Sequence, residues 1–262
     1  MSHLRTIPVP ALADNYIWLL ADQSGKTLVV DPGEAAPVLA ALQHERLEPA
    51  AILLTHHHPD HIGGVAGILA RYPGLPVVAP DDVRIDTATC TVRDGDRLTF
   101  EAPPASFEVL EIPGHTRSHI AFFGAGVVFA GDTLFSVGCG RMFEGTPAQM
   151  LASLDRLAAL PDDTLLCCGH EYTLANCTFA LTVDPDNAAL GRRAVAVREM
   201  RARGEPTLPV PLRVERSINP FLRVDAPALR DAAARALGSD EASDRVARFA
   251  WLRHAKDGFR AA

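Results

Sequence analysis

A histidine-rich heptapeptide directly after an apolar run constrains this chain more than any other feature. Residues 55–61 read Thr-His-His-His-Pro-Asp-His, and residues 51–54 before them read Ala-Ile-Leu-Leu. An apolar run of that length bounded by a polar turn predicts a buried strand, so the histidines begin where a core strand ends. In an extended segment His56 and His58 point to the same side while His57 points away. The heptapeptide therefore predicts a metal-binding segment at the edge of a sheet.

The second half of the heptapeptide approaches the same place from another direction. Pro59 stiffens the turn, and Asp60 is the predicted N-cap of a helix running from His61 to Arg71. Two directions of approach from one short segment favour two adjacent metal ions over one. The alternative is a solvated histidine-rich loop or a chance metal-binding tract. That alternative needs no ligand partners elsewhere in the chain.

Partners are present, because three further potential ligands also follow apolar runs. These residues are His115, Asp132 and His170. Asp132 and His170 each come directly after a glycine, which lets the backbone approach a bound ion closely. A single histidine at a strand end is more often structural. Four strand ends with the same arrangement indicate a metal centre instead.

In content, order and spacing these residues resemble the ligand motif of the metallo-β-lactamase superfamily. Further segments along nearly the whole chain resemble one branch of it, the glyoxalase II (hydroxyacylglutathione hydrolase) family. Those segments are Asp14-Asn15-Tyr16, Gly131-Asp132-Thr133-Leu134-Phe135, Gly138-Cys139-Gly140-Arg141, Phe143-Glu144-Gly145-Thr146, Cys168-Gly169-His170-Glu171-Tyr172-Thr173, Asn219-Pro220-Phe221-Leu222-Arg223 and the terminal Arg253-x-x-Lys256-Asp257-x-Phe259. The histidine motif marks the superfamily, and the later segments indicate the branch.

The resemblance implies a centre of two divalent metal ions. It implies that His56, His58 and His115 hold the first ion. It implies that Asp60, His61 and His170 hold the second, with Asp132 bridging the two, so that Asp60 and Asp132 are the catalytic carboxylates. Nitrogen and oxygen ligands suit zinc, with iron and manganese as alternatives. The implied glutathione contacts are Arg141, Phe143, Tyr172, Arg253 and Lys256, although the family often has lysine at position 141 and tyrosine at 143.

The implied reaction is hydrolysis of S-2-hydroxyacylglutathione thioesters, chiefly S-D-lactoylglutathione, to glutathione and a 2-hydroxy acid in methylglyoxal detoxification. Metal-activated water suits a thioester, because a leaving thiolate with a conjugate acid pKa of about 8.5 needs little help from a general acid. Alternatives of the same fold are a persulfide dioxygenase, a di-iron oxygen reductase, a lactonase or a β-lactamase. A binding protein with structural zinc is disfavoured, because such sites are usually rich in cysteine.

Composition limits the partners and the compartment. No stretch approaches the roughly 20 apolar residues that cross a bilayer, and the N-terminus does not resemble a signal peptide. The five cysteines form no C-x-x-C pair, so we expect free thiols in a cytoplasmic, monomeric protein. Cys139 is expected to be a small buried hydrophobe, with a reactive thiol as the alternative.

Charge is divided unevenly along the chain. Residues 1–191 contain 10 basic and 23 acidic side chains, while residues 192–262 contain 15 and 9. The basic remainder is expected to attract an anionic small molecule such as a glutathione thioester. Without basic runs or interleaved aromatics it does not indicate nucleic-acid binding.

The order of predicted elements gives an α+β fold. A strand hairpin turns at Ser24-Gly25, strands and helices alternate up to a helix capped by Thr146 with Pro147 at its first position, and mainly helices follow. The family resemblance implies an αββα sandwich. We therefore predict a metal-binding catalytic domain over residues 1–173 and a smaller helical, substrate-binding domain over residues 174–262.

Overall fold

The computed structural model describes residues 4–260, which form two compact units that are interleaved along the chain. The first unit contains the described residues up to Glu111, together with Ser118–Gly131 and Cys167–His170. The second contains Ile112–Arg117, Asp132–Leu166 and the described residues from Glu171 onward. The single boundary after residue 173 stays a prediction.

Strands and helices are both abundant in the described residues, as the predicted α+β class requires. The strands are β1 (Arg5–Ala11), β2 (Asn15–Ala21), β3 (Lys26–Val30), β4 (Glu48–Leu53), β5 (Val77–Pro80), β6 (Cys90–Val92), β7 (Arg97–Phe100), β8 (Ala105–Glu111), β9 (Ile120–Gly124), β10 (Val127–Gly131), β11 (Leu134–Phe135), β12 (Gly138–Cys139), β13 (Leu165–Cys168) and β14 (Val210–Pro211). The helices are α1 (Ala35–Glu45), α2 (Pro59–Ile62), α3 (Val65–Arg71), α4 (Pro147–Ala158), α5 (Thr173–Val183), α6 (Ala188–Ala202), α7 (Leu212–Ile218), α8 (Pro227–Leu237) and α9 (Arg245–Gly258), with a 3₁₀ turn at Glu241–Ser243.

The first unit contains a six-stranded sheet in the order β1-β2-β3-β4-β5-β6. The predicted hairpin is confirmed, since β2 and β3 pair antiparallel and Gly25 between them has a φ of 88°. From β3 to β6 the strands run parallel. Buried side chains of α1 and α3, including Val38, Leu42 and Ile68, belong to the apolar cluster on this sheet. Helices on a parallel sheet explain why β4 reads as an apolar run rather than an alternating one.

A second sheet of the first unit has the strand order β7-β8-β9-β10, with the end of β13 beside β10. Because β8 and β10 are each antiparallel to β9, they run in the same direction as one another. Their carboxyl ends therefore lie at the same edge. In the first sheet the carboxyl ends of β3, β4 and β5 share an edge for the same reason. Residues that follow strand ends are thus brought together by topology.

The helix predicted from His61 to Arg71 is wrong in one respect, because it is two helices. α2 ends at Ile62, and α3 begins at Val65 after Gly63 and Gly64. A Cβ at Gly64 would overlap the backbone near Glu34 and Ala35, so close approach of two chain segments fixes glycine there. The predicted N-cap is also wrong. His58 occupies the cap of α2, and Asp60 lies in its first turn.

The second unit is mainly helical, as predicted for the chain after Tyr172. The predicted cap of α4 is confirmed: the Thr146 hydroxyl accepts from Gln149 N and the Gln149 side chain accepts from Thr146 N, with Pro147 in the first turn. Leu165 and Leu166 of β13 pair with β14 in this unit. None of the helices within residues 4–260 is both long and apolar enough to cross a membrane.

Candidate metal centre

In the first unit, His56 and His58 present ring nitrogens to the same point. His56 Nε2 lies 3.2 Å from His58 Nδ1. Two nitrogens bound to one tetrahedral ion at about 2.05 Å would be roughly 3.3 Å apart, so this spacing fits one edge of a coordination shell. His57 lies elsewhere, with its Nδ1 3.5 Å from Asp82 Oδ2. The alternation predicted from the extended segment is confirmed.

The His56 ring is oriented by a chain of hydrogen bonds from the neighbouring strand end. The Thr55 hydroxyl donates to Asp31 Oδ2 at 2.7 Å, so the hydroxyl oxygen accepts from His56 Nδ1 at 3.0 Å. Thr55 N also donates to Asp31 Oδ1, at 2.7 Å. With the proton on Nδ1, Nε2 of the fully buried His56 is the atom left for a metal.

Asp60, His61 and His170 form a second group in the first unit, whose ligand atoms all lie within 4.8 Å of one another. Asp60 Oδ2 is 3.4 Å from His170 Nε2 and 3.7 Å from His61 Nε2. Asn15 steadies this carboxylate by donating from Nδ2 to Asp60 Oδ2 at 3.1 Å. Asn15 also bridges to the backbone of His170, which ties the three ligands to β2.

Carboxylates fix the proton of both histidines in this second group. His170 Nδ1 lies 2.7 Å from Asp14 Oδ1, and His61 Nδ1 lies 3.1 Å from Asp31 Oδ2. An ionised carboxylate only accepts, so each Nδ1 carries the hydrogen and each Nε2 presents a lone pair to the ligand group. Metal-binding histidines are typically held in this way. The donors present therefore fit divalent ions such as zinc, iron or manganese.

In the second unit, His115 and Asp132 lie close to one another. His115 Nε2 lies 3.5 Å from Asp132 Oδ2, and both side chains are buried. His115 Nδ1 donates to the carbonyl oxygen of Arg141 at 2.8 Å, which again leaves Nε2 as the ligand atom. A Cβ at Gly140 would overlap the Asp132 carbonyl, so only glycine permits this close packing.

Three predicted substrate contacts of the second unit form one cationic cluster with an acid at its centre. Arg141 Nε and Arg253 Nη2 lie 3.2 and 3.0 Å from Asp257 Oδ1. Arg253 is buried and also donates to the Cys139 carbonyl at 2.6 Å. Burial, and then the charges of Arg253 and Arg141, lower the pKa of Lys256 to about 8.

Two aromatic side chains complete the predicted contacts. The Phe143 ring is 64% exposed and lies edge-on to His115, with centroids 5.2 Å apart. Tyr172 packs edge-on against Phe135 at 5.2 Å. The expected burial of Cys139 is confirmed, and burial raises the pKa of its thiol to about 11.

Sequence reasoning missed two buried residues of the site. Asp31 follows the buried strand β3 just as His56 follows β4, so the strand-end pattern could have found it. Its oxygens accept from Thr55 and His61, so it positions both side chains. His119 stacks on His56, with ring centroids 4.5 Å apart and planes 16° apart. No apolar run ends at His119, so no pattern in the sequence distinguishes it.

Comparison with protein families covers nearly the whole chain. Residues 13–170 match the metallo-beta-lactamase superfamily, and residues 171–259 match the hydroxyacylglutathione hydrolase C-terminus. A hydroxyacylglutathione hydrolase of Xanthomonas campestris pv. campestris (strain B100) is 55% identical over 98% of this chain and 100% of its own length.

Solved structures agree on the fold. BLEG-1 B3 metallo-beta-lactamase superposes with a TM-score of 0.62 at 23% identity, over 84% of this chain and 99% of its own. TTHA1623 in a di-iron-bound form superposes with a TM-score of 0.53 at 33% identity, over 63% of this chain and 91% of its own. The predicted αββα fold with a C-terminal helical domain is confirmed. The chain belongs to the hydroxyacylglutathione hydrolase (glyoxalase II) family of metal-dependent hydrolases, within the metallo-β-lactamase superfamily.

Proposed function

We propose that this protein hydrolyses S-2-hydroxyacylglutathione thioesters, chiefly S-D-lactoylglutathione, to glutathione and a 2-hydroxy acid. The relative from Xanthomonas campestris carries the name of that activity and matches 98% of this chain. The candidate metal ligands offer only nitrogen and oxygen atoms, and this donor set also agrees with hydrolysis.

The proposed ligand set is the one that the family resemblance implies. His56, His58 and His115 would hold the first ion, Asp60, His61 and His170 would hold the second, and Asp132 would be a ligand of both. Bound there, divalent ions polarise a carbonyl and lower the pKa of water from about 16 towards about 7. The chain's own contribution is orientation, because Asp14, Asp31, Thr55 and the Arg141 carbonyl hold the ring protons on Nδ1.

The observation that carries the proposed substrate is the cationic cluster of Arg141, Arg253 and Lys256. The chain has a net charge of −7, so three cations gathered at one place need a reason. Burial, and then the charges of Arg253 and Arg141, lower the pKa of Lys256, so the neighbouring positive charges repel one another there. An anionic ligand relieves that repulsion, and glutathione offers carboxylates. A neutral lactone makes no use of such a cluster.

Phe143 and Tyr172 are proposed to line the path between this cluster and the reacting carbonyl. The exposed Phe143 ring lies against His115, so an acyl or thiol chain that covers it gains contact area at the proposed first ion. Phenylalanine supplies the ring without the hydroxyl of the tyrosine often found here in the family. Arg141 keeps the positive charge of the usual lysine.

The test is hydrolysis of S-D-lactoylglutathione by protein reconstituted with zinc, iron or manganese. Hydrolysis is measured as the release of free thiol. We expect turnover that disappears on chelation and returns when metal is added. A lactone, a β-lactam and glutathione persulfide serve as comparison substrates. Turnover of the persulfide is measured as oxygen consumption with an oxygen electrode. Faster turnover of any of these than of the glutathione thioester would overturn the proposed substrate.

A further inference from the structure

The hairpin β11–β12 has an unusual turn at Ser136-Val137. Val137 has a φ of 59° and is fully buried. A β-branched residue in the left-handed region is a true outlier, because its side chain crowds the backbone there. Such a conformation persists only when the surroundings over-determine it. The contacts around this turn must therefore hold Val137 in its left-handed conformation.

Three buried side chains hold the turn, and we name them the Glu215 clamp: Glu215, Asn219 and Asn176. Glu215 accepts from Ser136 Oγ and from Val137 N, both at 2.7 Å. Asn219 Nδ2 donates to the carbonyls of Phe135 and Gly138, both at 3.0 Å, and to Glu215 Oε2 at 3.1 Å. Asn176 Nδ2 donates to the Ser136 carbonyl at 3.0 Å.

The clamped hairpin connects the proposed metal ligands of the second unit with its proposed substrate contacts. Its first strand begins two residues after Asp132. Its second strand leads into Gly140, whose N–H donates to Thr133 O at 3.1 Å, and into Arg141, whose carbonyl accepts from His115 Nδ1. The carbonyl of Cys139 accepts from Arg253. A shift of the hairpin therefore moves two proposed metal ligands and two proposed substrate contacts together.

Filling the space beside the turn with the carboxylate of Glu215 costs desolvation free energy. Glu215 is fully buried, and burial raises its pKa. An apolar side chain of similar volume would pack here without the cost of removing a charge from water. Three donors on two oxygens instead specify one conformation of the turn. The chemistry of the clamp thus favours a geometric role over a purely packing role.

We propose that Glu215 and Asn219 are positioning residues that set the metal affinity at His115 and Asp132 and the substrate affinity at Arg141 and Arg253. They touch neither metal nor substrate and act through the hairpin β11–β12. The substrate half of this inference rests on the proposed function. The metal half does not, because metal affinity is measured without substrate.

The test compares Glu215→Met, which keeps the shape and removes both acceptors, with Glu215→Gln. A glutamine can still accept from Val137 N while its amide donates to Ser136 Oγ. We expect Glu215→Met to weaken zinc binding on the order of tenfold, measured by competition of the apoprotein with a chromophoric chelator, and to raise KM for the thioester. Glu215→Gln should restore both to within about threefold of wild type. Should Glu215→Met fail to fold, Asn219→Ala provides the same two readouts.

Asp184→Leu is the matched control. Asp184 is a buried carboxylate of the same unit that accepts from Asn187 Nδ2 at 2.9 Å and from Arg223 Nη2 at 3.2 Å, with no contact to the hairpin among the described hydrogen bonds. It should lose stability without losing zinc affinity. Unchanged zinc affinity in Glu215→Met would overturn the proposal. So would an equal loss of zinc affinity in Asp184→Leu when the two variants have the same stability. Absence of thioester hydrolysis in wild type would overturn the proposed function alone.

Discussion

Four histidines of the proposed centre have Nδ1 fixed by an oxygen of the chain, and the four oxygens differ in kind. His170 uses the carboxylate of Asp14, His61 that of Asp31, His56 the hydroxyl of Thr55, and His115 a backbone carbonyl. A carboxylate makes imidazole a stronger donor to a metal than a carbonyl does, because it stabilises the partial positive charge on the ring. His170 and His61 both belong to the proposed second ion. That ion should therefore depend most on these oxygens.

Asp14→Asn tests this dependence. An amide can still contact the ring but carries no charge, so we expect the affinity for the proposed second ion to fall about 10- to 100-fold. Asp14 has a 40% exposed side chain, so the free energy of unfolding of the apoprotein should change little. Chelator competition measures the affinity, and Asp163→Asn, at an exposed acid, controls for net charge. An unaltered affinity for both ions would remove Asp14 from this role.

Lys256 gives the protein a testable pH dependence. Its pKa of about 8 means that the charged form of the free enzyme declines as pH rises through 8. Binding of an anionic substrate should then weaken, so kcat/KM should fall above pH 8, approaching tenfold per pH unit if binding requires the charge. Lys256→Arg keeps the charge at every pH tested and should shift this decline to higher pH, whereas Lys256→Ala should show a raised KM already at pH 7. A decline that is identical in wild type and Lys256→Arg would assign it to another group.

At the level of single residues, ligands at strand ends could be predicted and the residues that orient them could not. A histidine after an apolar run is visible in one segment of sequence. The pairing of Asp14 with His170 joins positions 156 residues apart, and no local pattern in either segment predicts it. Arg253 was predicted as a substrate contact from the family resemblance of the terminal motif. Its burial and its bonds to Cys139 and Asp257 depend on how α9 packs in the second unit.

Among the elements, the buried apolar strands are the part that the sequence predicts best. Short apolar runs followed by polar residues mark β4, β10 and β13, because a strand buried on both faces has no polar side. The break between α2 and α3 was missed, since Gly63 and Gly64 inside an apolar pattern are compatible with one weak helix. What forces the break is contact with the segment after β3, where a Cβ on Gly33 would overlap the Asp60 carbonyl.

Gly64→Ala is the corresponding prediction for an element. The added Cβ would overlap backbone atoms of Glu34 and Ala35, which cannot move aside as a side chain could. We expect a loss of about 1–3 kcal/mol in the free energy of unfolding and weaker binding of the ion proposed at Asp60 and His61. Urea unfolding of the apoprotein and chelator competition measure the two effects. Gly74→Ala is a suitable control, because no atom lies within 4 Å of its Cβ, although its positive φ still carries a cost. Wild-type metal affinity in Gly64→Ala would show that α2 is placed independently of this contact.

For the whole molecule, metal occupancy and stability should be linked. Ions that bind only the folded chain add about 4 kcal/mol per site at a free concentration 1,000 times Kd. For a chain of this length we expect Tm to rise by roughly 2–4 °C for each kcal/mol. Elemental analysis should saturate at two ions per chain, since seven ligands exceed what one ion uses. Saturation at one ion, or a Tm indifferent to metal, would contradict the dinuclear centre.

The position of Cys139 has a consequence for chemical self-protection. Its sulfur lies 3.7 Å from Arg253 Nη1, in the cluster proposed to bind a thioester. Thioesters transfer their acyl groups to thiolates, so a reactive cysteine there would be acylated by the protein's own substrate. With a pKa of about 11, only about one molecule in ten thousand carries the thiolate at pH 7. Burial thus makes this thiol inert towards a substrate that other cysteines would consume.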